Sequence, residues 1–140
     1  MADRTALFIC QFGITRSLEG ANTLTELVTE HTQRNGDNFS IIPARLYDGS
    51  FNWVFNLLTR ARPVTREDLD YAHRVFVVQS EMLDTILGRF YLDDPQGAHS
   101  LQEKTYRLNI PNGFYLDRRI LRRMLRSQLT PHIPSFVLGQ

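Results

Sequence analysis

Apolar residues follow two patterns along this chain of 140 residues. Short continuous apolar runs are typical of strands that are buried on both faces of a sheet. Longer stretches, in which apolar residues recur every three or four positions, are typical of amphipathic helices. The continuous runs predict four strands, over residues 5–10, 39–43, 74–78 and 105–110.

Helical spacing follows the first strand. A helix that begins at Ser17 would place one apolar face towards the core, formed by Leu18, Ala21, Leu24, Leu27 and Val28. A second helix start is indicated at Thr65, because Asp68 stands three positions later and the pair can form a capping box.

The same spacing predicts two further helices. One runs over residues 80–89, with Ser80 as its cap and four apolar residues inside, Met82, Leu83, Ile86 and Leu87. The other is a terminal helix over residues 117–129. A short helix is predicted over 51–58, a loop over 91–100, and turns at 34–37 and 111–113.

The alternation of strands and helices determines the fold class. We predict a single α/β domain over residues 1–140, a three-layer sandwich in which helices cover both faces of a short parallel sheet of about four strands.

Composition limits the possible classes of protein. The chain is 42% apolar and 22% charged, which is ordinary for a globular protein. No apolar stretch approaches the roughly 20 residues needed to span a bilayer, and residues 1–4 do not resemble a signal peptide. We therefore expect a cytoplasmic protein with no membrane partner.

The cysteine and histidine content predicts a protein without metal or cofactor. A single cysteine, Cys10, excludes an internal disulfide and a multi-thiolate zinc site. The four histidines show no ligand spacing and have no carboxylate cluster beside them.

The charge is unevenly distributed. The net charge is +1, but residues 101–140 carry seven basic and two acidic residues, and the rest of the chain is net negative. Five arginines recur at helical spacing in the terminal helix: Arg118, Arg119, Arg122, Arg123 and Arg126. A solvated helix face is the simplest interpretation. An acidic partner that binds Arg118, Arg122 and Arg126 is the more specific hypothesis, and nucleic acid is the less favoured partner.

The candidate chemistry lies between the first strand and the first helix. Cys10 ends the strand, and Arg16 follows six positions later at the start of the helix. Ligands of open α/β sheets bind at this edge, where a helix N-terminus attracts anions and favours the thiolate form of a cysteine. The arginine adds a planar fork for two oxyanion oxygens, which fits a tetrahedral phosphate. Alternatively, Cys10 is a small core residue.

Residues 10–17, Cys-Gln-Phe-Gly-Ile-Thr-Arg-Ser, resemble the Cys-x5-Arg-Ser phosphate loop of the low-molecular-weight protein tyrosine phosphatases. Residues 65–80 are similar to a helix and strand of the bacterial relatives. Residues 108–125 are similar to their last strand, Ile-Pro-Asp turn and terminal helix. The resemblance implies that fold and hydrolysis of phosphotyrosine or another aryl phosphate.

The resemblance also implies roles for individual residues. Cys10 would be the nucleophile and would form a cysteinyl-phosphate. Arg16 would hold the phosphate oxygens together with the loop amides, and Ser17 would donate a hydrogen bond to the thiolate. The remaining substrate-binding positions would be Gln11, Phe12, Gly13, Ile14 and Thr15.

Two positions depart from the family pattern. The loop has Phe12-Gly13 and then Ile14 where the family usually has Gly-Asn, whose asparagine braces the loop. Asn112 stands where the family has its aspartic general acid, and an amide cannot protonate a leaving group. Turnover is therefore expected to be slow. Asn112 itself is predicted to be a substrate-binding residue.

Two aspartates could replace the missing acid. Asp117 is the candidate catalytic acid, although a helix N-cap is the simpler role for it. Asp94 precedes proline as in the family's acid loop, but it comes before the last strand and is predicted to form a turn.

Four hypotheses follow from these residues. The first is a phosphatase acting on a phosphorylated protein or a small aryl phosphate. The second is a phosphate- or phosphoprotein-binding module with the same fold and impaired catalysis. The third is an arsenate reductase that uses an external thiol, since one cysteine excludes an internal relay. The fourth is nucleic-acid binding through the arginines.

Overall fold

The computed structural model describes residues 4–11, 16–32, 39–46, 62–110 and 118–138. Its centre is a parallel sheet of five strands in the order β3-β2-β1-β4-β5. The strands are β1 Arg4–Cys10, β2 Phe39–Arg45, β3 Arg62–Pro63, β4 Arg74–Val77 and β5 Thr105–Arg107.

Six α-helices flank the strands in the described part of the chain. They are α1 Arg16–Thr32, α2 Arg66–Tyr71, α3 Ser80–Phe90, α4 Pro95–Glu103, α5 Arg118–Leu129 and α6 Ile133–Leu138, with a 3-10 turn at Thr130–His132 between the last two. The predicted α/β architecture is confirmed, with one strand more than expected.

The central strand is β1, which pairs with β2 on one side and β4 on the other. Every residue of β1 after Arg4 is buried, and this explains its continuous apolar run. The chain adds β2 and then β3 on one side of β1, and it adds β4 and then β5 on the other side. Right-handed crossovers therefore place α1 on the opposite face of the sheet from α2, α3 and α4.

The face covered by α1 has an aromatic core. Phe8 and Phe76 stack with ring centroids 5.7 Å apart, and Tyr106 lies 5.2 Å beyond Phe76. On α5, Leu121, Leu125 and Leu129 are fully buried at the spacing of one helix face. Four of the five predicted face residues of α1 are buried, and Leu18 is partly buried.

The predicted capping box at the start of α2 is confirmed. The Thr65 side chain accepts from the Asp68 N–H, and the Asp68 side chain accepts from the Thr65 N–H. In α3 the predicted residues Met82, Leu83 and Ile86 are buried and Leu87 is partly buried. The N-cap of α3 is Gln79 rather than Ser80, and its side chain makes no capping hydrogen bond.

The predicted loop over residues 91–100 is wrong, because α4 begins at Pro95. Asp94 is the N-cap of this helix, and its carboxylate accepts from the Gly97 N–H at 2.9 Å. Asp followed by Pro suits a turn, but the same pair also suits the cap and first residue of a helix. In this chain Asp94 and Pro95 begin a helix rather than a turn.

Two corrections concern the short strands: β3 was not predicted, and β5 is shorter than predicted. β3 has only two residues, too few to produce a period in the sequence. β5 ends at Arg107 rather than 110, although Leu108 and Ile110 still donate backbone hydrogen bonds to Val77 and Val78. The terminal helix is confirmed from residue 118, and the predicted elements at 34–37, 51–58 and 111–113 lie outside the described residues.

The described residues form no helix that is long and apolar enough to cross a membrane. Within the same ranges, no group of three or more histidine, cysteine or acidic side chains could hold a metal ion.

Gly20 tests the packing of α1 on the sheet. A Cβ atom at this position would overlap the ring of Phe8, which is fully buried. We expect Gly20→Ala to lower the free energy of unfolding by about 1–3 kcal/mol through overpacking. The matched control is Gly88→Ala on α3, where a Cβ meets nothing within 4 Å. This control should raise stability by about 0.5–1 kcal/mol in urea unfolding. Equal changes in the free energy of unfolding for the two substitutions would contradict the close approach of Phe8 to Gly20.

His73 makes stability depend on pH. Its Nδ1 accepts from the Thr5 N–H at 3.0 Å, which requires an unprotonated nitrogen. Burial lowers the pKa of His73, and the nearby Arg4, Lys104 and Arg74 lower it further. As the pH falls, His73 is therefore protonated in the unfolded chain before it is protonated in the folded chain. The contribution of neutral His73 to the free energy of unfolding is complete above about pH 6.5 and is lost as the pH falls below this value.

We expect His73→Gln to flatten the decrease in stability between pH 7.5 and 5.5, measured by urea unfolding. Part of the decrease should remain, because burial also lowers the pKa of His132. A variant with the same pH dependence as the original chain would show that His73 does not couple proton binding to folding.

Candidate active site

Cys10 is held at the carboxyl end of the central strand. It is 3% exposed, and its carbonyl accepts from the Leu46 N–H at 2.9 Å. On the other side the Val78 N–H donates to the Ile9 carbonyl at 3.3 Å. Both neighbouring strands therefore fix the backbone at the thiol, at the edge where open α/β sheets bind ligands.

Arg16 begins α1 and lies close to Cys10. Its side chain is buried, at 7% exposure, and Nη1 donates to the Ile110 carbonyl at 2.8 Å. Burial lowers the pKa of Arg16, and electrostatic attraction to Cys10 partly offsets this effect. An arginine stays protonated under such shifts, so the group keeps its positive charge near the thiol.

The Ile110 contact brings a third segment to this edge. Ile110 is fully buried, and its N–H donates to the Val78 carbonyl at 2.9 Å. Asn112 follows two residues later in the sequence. The first strand, the first helix and the segment that precedes Asn112 thus converge around one guanidinium.

Several predicted site residues lie outside the described ranges: Phe12, Gly13, Ile14, Thr15, Asn112 and Asp117. Gln11 is described and is partly buried beside Cys10. For Ser17, the backbone in the first turn of α1 is described and the side chain is not. The roles given to these residues stay predictions.

Asp94 is poorly suited to act as a general acid. Its carboxylate accepts from the Gly97 N–H and pairs with Arg66 Nη2 at 2.6 Å. These two contacts lower the pKa of Asp94, whereas a general acid must hold its proton. The described contacts of Asp94 include neither Cys10 nor Arg16.

Arg45 is a buried charge that the sequence analysis missed. It is the last residue of β2, is 4% exposed and is the register partner of Cys10. The predicted strand stopped at residue 43. It therefore ended two residues before Arg45, and the register that pairs Arg45 with Cys10 cannot be determined from the sequence alone.

Structural comparison decides the fold family. The sequence matches no family model and no curated protein. A protein tyrosine phosphatase from Entamoeba histolytica, in a product state mimic, has a TM-score of 0.73 and 13% identity, with 99% of this chain and 98% of that chain covered. The chain has the fold of the low-molecular-weight protein tyrosine phosphatases.

Two further solved structures share this fold. The YwlE arginine phosphatase from Geobacillus stearothermophilus has a TM-score of 0.60 and 18% identity, with 98% of this chain and 97% of that chain covered. A low-molecular-weight protein tyrosine phosphatase from T. tengcongensis has a TM-score of 0.62 and 12% identity, with 99% and 100% covered. Nearly the whole low-molecular-weight phosphatase fold is thus present.

The arginines of α5 contact acidic residues of α1 in this fold. Arg122 Nε donates to Glu19 at 3.0 Å, and the Glu19 side chain is only 8% exposed. Arg126 pairs with Glu30 at 2.9 Å and lies 3.7 Å from Glu26. Two of the three arginines that were predicted to bind an acidic partner, Arg122 and Arg126, therefore already pair with acidic residues of the chain itself. An external acidic partner stays a prediction, and the Arg118 side chain lies outside the described residues.

The two ion pairs should contribute unequally to stability. Arg122→Ala removes a hydrogen bond from a buried carboxylate, whereas Arg126→Ala removes one from carboxylates that are more than half exposed. We expect Arg122→Ala to cause the larger decrease in the urea midpoint, and the smaller effect of Arg126→Ala to vanish in high salt. A larger effect of Arg126→Ala would contradict the burial at Glu19.

Proposed function

We propose that this chain is a cysteine-dependent phosphatase that hydrolyses phosphotyrosine or another aryl phosphate. The observation that carries the proposal is the buried Arg16 guanidinium, which lies near Cys10 and is held by the Ile110 carbonyl. One hydrogen bond to Ile110 leaves most of the five N–H donors of the arginine for an oxyanion. A fixed guanidinium at the N-terminus of α1 is a suitable binding site for a phosphate monoester.

The proposed reaction has two steps. In the first, the Cys10 thiolate attacks phosphorus, an S–P bond forms, and the P–O bond breaks with its electron pair on the phenol oxygen. In the second, water attacks phosphorus, the S–P bond breaks, and phosphate and the thiolate are released. Arg16 and the amides of residues 11–16 would stabilise the charge on the equatorial oxygens, and Ser17 would donate to the thiolate.

Protonation of the leaving group is the weak point of this reaction. Asn112 has no acidic proton, although it follows the Arg16 contact by only two residues. General acid catalysis typically contributes about 10²–10⁴-fold. We therefore propose slow turnover on poor leaving groups unless Asp117 supplies the proton. Asn112 equally supports the second candidate function, a phosphate- or phosphoprotein-binding module that retains the binding site.

The substrate class is a phosphorylated protein or a small aryl phosphate. The arginine phosphatase among the structural neighbours adds phosphoarginine as a substrate to assay. A cytoplasmic location and a single domain over residues 1–140 remain expectations from the sequence.

Asn112→Asp tests the position of the missing acid. We expect the original chain to hydrolyse aryl phosphates with a rate that falls steeply as the pKa of the leaving group rises. Asn112→Asp should raise kcat on poor leaving groups by about tenfold or more and flatten that dependence. The matched control is Asn109→Asp, which adds the same charge at an exposed position three residues earlier and should change little.

Three outcomes of this assay separate the alternatives. A shallow leaving-group dependence in the original chain that becomes steep in Asp117→Asn would identify Asp117 as the acid. Binding of vanadate without hydrolysis of even activated esters would favour the binding module. Activity that survives in Cys10→Ser would overturn the proposed mechanism.

A further inference from the structure

Leu46 is the residue through which the neighbouring strand holds the end of β1. It follows β2 directly and is 1% exposed, and its N–H donates to the Cys10 carbonyl at 2.9 Å. Its own carbonyl accepts from Nη1 of Arg89 at 2.5 Å. Among the described residues, Arg89 is the one donor to this carbonyl. Leu46 therefore links Arg89 to the backbone of the candidate nucleophile.

Arg89 reaches this edge of the sheet from α3. It lies in the last turn of that helix, on the face of the sheet opposite to α1. The end of α3 lies near the start of α2, because Arg66 Nη1 donates to the Phe90 carbonyl at 2.8 Å, and α2 begins shortly after β3. The helix thus runs from the carboxyl end of β4 across the sheet towards β2 and β3, and it brings Arg89 to the ligand-binding edge.

Arg16 makes the same kind of contact on the other side of the candidate nucleophile. It donates to the carbonyl of Ile110, whose N–H donates to the Val78 carbonyl. In both cases a buried residue just beyond a strand is joined to a neighbouring segment by its N–H and to an arginine by its carbonyl. A buried carbonyl that loses its donor is costly, so each arginine favours one position of the backbone that it contacts.

We propose that Arg89 is a positioning residue of the candidate active site, which orients Cys10 by holding the Leu46 carbonyl. This inference rests on the proposed function, because the step that depends on the orientation is the attack of the Cys10 thiolate on phosphorus. No bond to Arg89 forms or breaks. Without Arg89 the hydrogen bond between the Leu46 N–H and Cys10 would loosen, and the nucleophile would lose its alignment. A misplacement of about 1 Å can cost about 10²-fold in rate.

The kinetics of Arg89→Met test the proposal. The value of kcat/KM on an activated aryl phosphate reports the first reaction step, and inhibition by inorganic phosphate reports the binding of the anion. We expect Arg89→Met to lower kcat/KM by about tenfold. The inhibition constant for phosphate should stay within about twofold, because Arg16 keeps its contact to Ile110. Arg89→Lys retains a charged donor and should recover most of the lost rate.

Arg4→Met is the matched control. Arg4 Nε donates to the Phe136 carbonyl at 3.2 Å, so this variant also loses a bond between an arginine and a carbonyl, but at the amino end of β1. It should lower the urea midpoint while kcat/KM stays within about twofold, because distant sites contribute independently. The same pattern in Arg89→Met, a lower midpoint with unchanged kcat/KM, would show a purely structural role and overturn the proposal.

Hydrogen exchange of the Leu46 amide tests the same contact without any reaction. We expect this amide to exchange about tenfold faster in Arg89→Met, because its hydrogen bond to the Cys10 carbonyl loosens. The Ile110 amide, which donates to Val78, is the internal reference and should exchange at an unchanged rate. Equal acceleration of both amides would indicate a general loosening of the sheet and would overturn the specific role of Arg89.

Failure of the inference differs from failure of the proposed function. If the original chain hydrolyses aryl phosphates and Arg89→Met does so equally fast, only the inference is wrong. If the original chain hydrolyses no ester, the proposed function is wrong and the Leu46 amide alone decides the inference. In that case unchanged exchange in Arg89→Met overturns it, and faster exchange supports the same positioning of Cys10 in a phosphate-binding module.

Discussion

The hydrogen bond from Arg16 to the Ile110 carbonyl joins parts of the chain that are 94 residues apart. It fixes a guanidinium that would otherwise have many rotamers, at the point where α1 begins and β1 ends. A buried carbonyl needs a donor, and a buried guanidinium needs acceptors, so each group makes the burial of the other less costly. For the proposed function this arrangement matters because the remaining N–H donors of Arg16 would have a defined orientation before an anion binds.

The sheet provides the second requirement of the site. The buried strand β1 pairs with β2 up to its last residue, Cys10, and with β4 up to Ile9, so the backbone at the cysteine has little freedom. The close packing of α1 at Gly20 then fixes the helix N-terminus relative to that strand. A second buried charge on α1 also has a partner from a distant segment, because the buried carboxylate of Glu19 pairs with Arg122.

Much of this could be predicted from the sequence because the signals are local. The apolar run of β1, the spacing on α1 and the Thr65–Asp68 capping box each depend on a few neighbouring residues. The two-residue strand β3 escaped prediction because it has no period, and α4 escaped because Asp94-Pro95 suits both a turn and a helix start. Arg45 and the Ile110 contact escaped for a different reason. Both depend on strand register and on contacts between distant segments, which a single sequence does not contain.

The two parts of the candidate chemistry therefore differ in how they depend on the fold. In the proposed reaction, binding of the phosphate would depend on β1 and α1, whose positions are determined by many buried contacts and backbone hydrogen bonds. In the same proposal, protonation of the leaving group would depend on a single side chain that follows Ile110 in the sequence. A change from carboxyl to amide at that position removes the acid while every contact of the sheet can remain. The fold alone therefore does not distinguish an efficient enzyme from a phosphate-binding module.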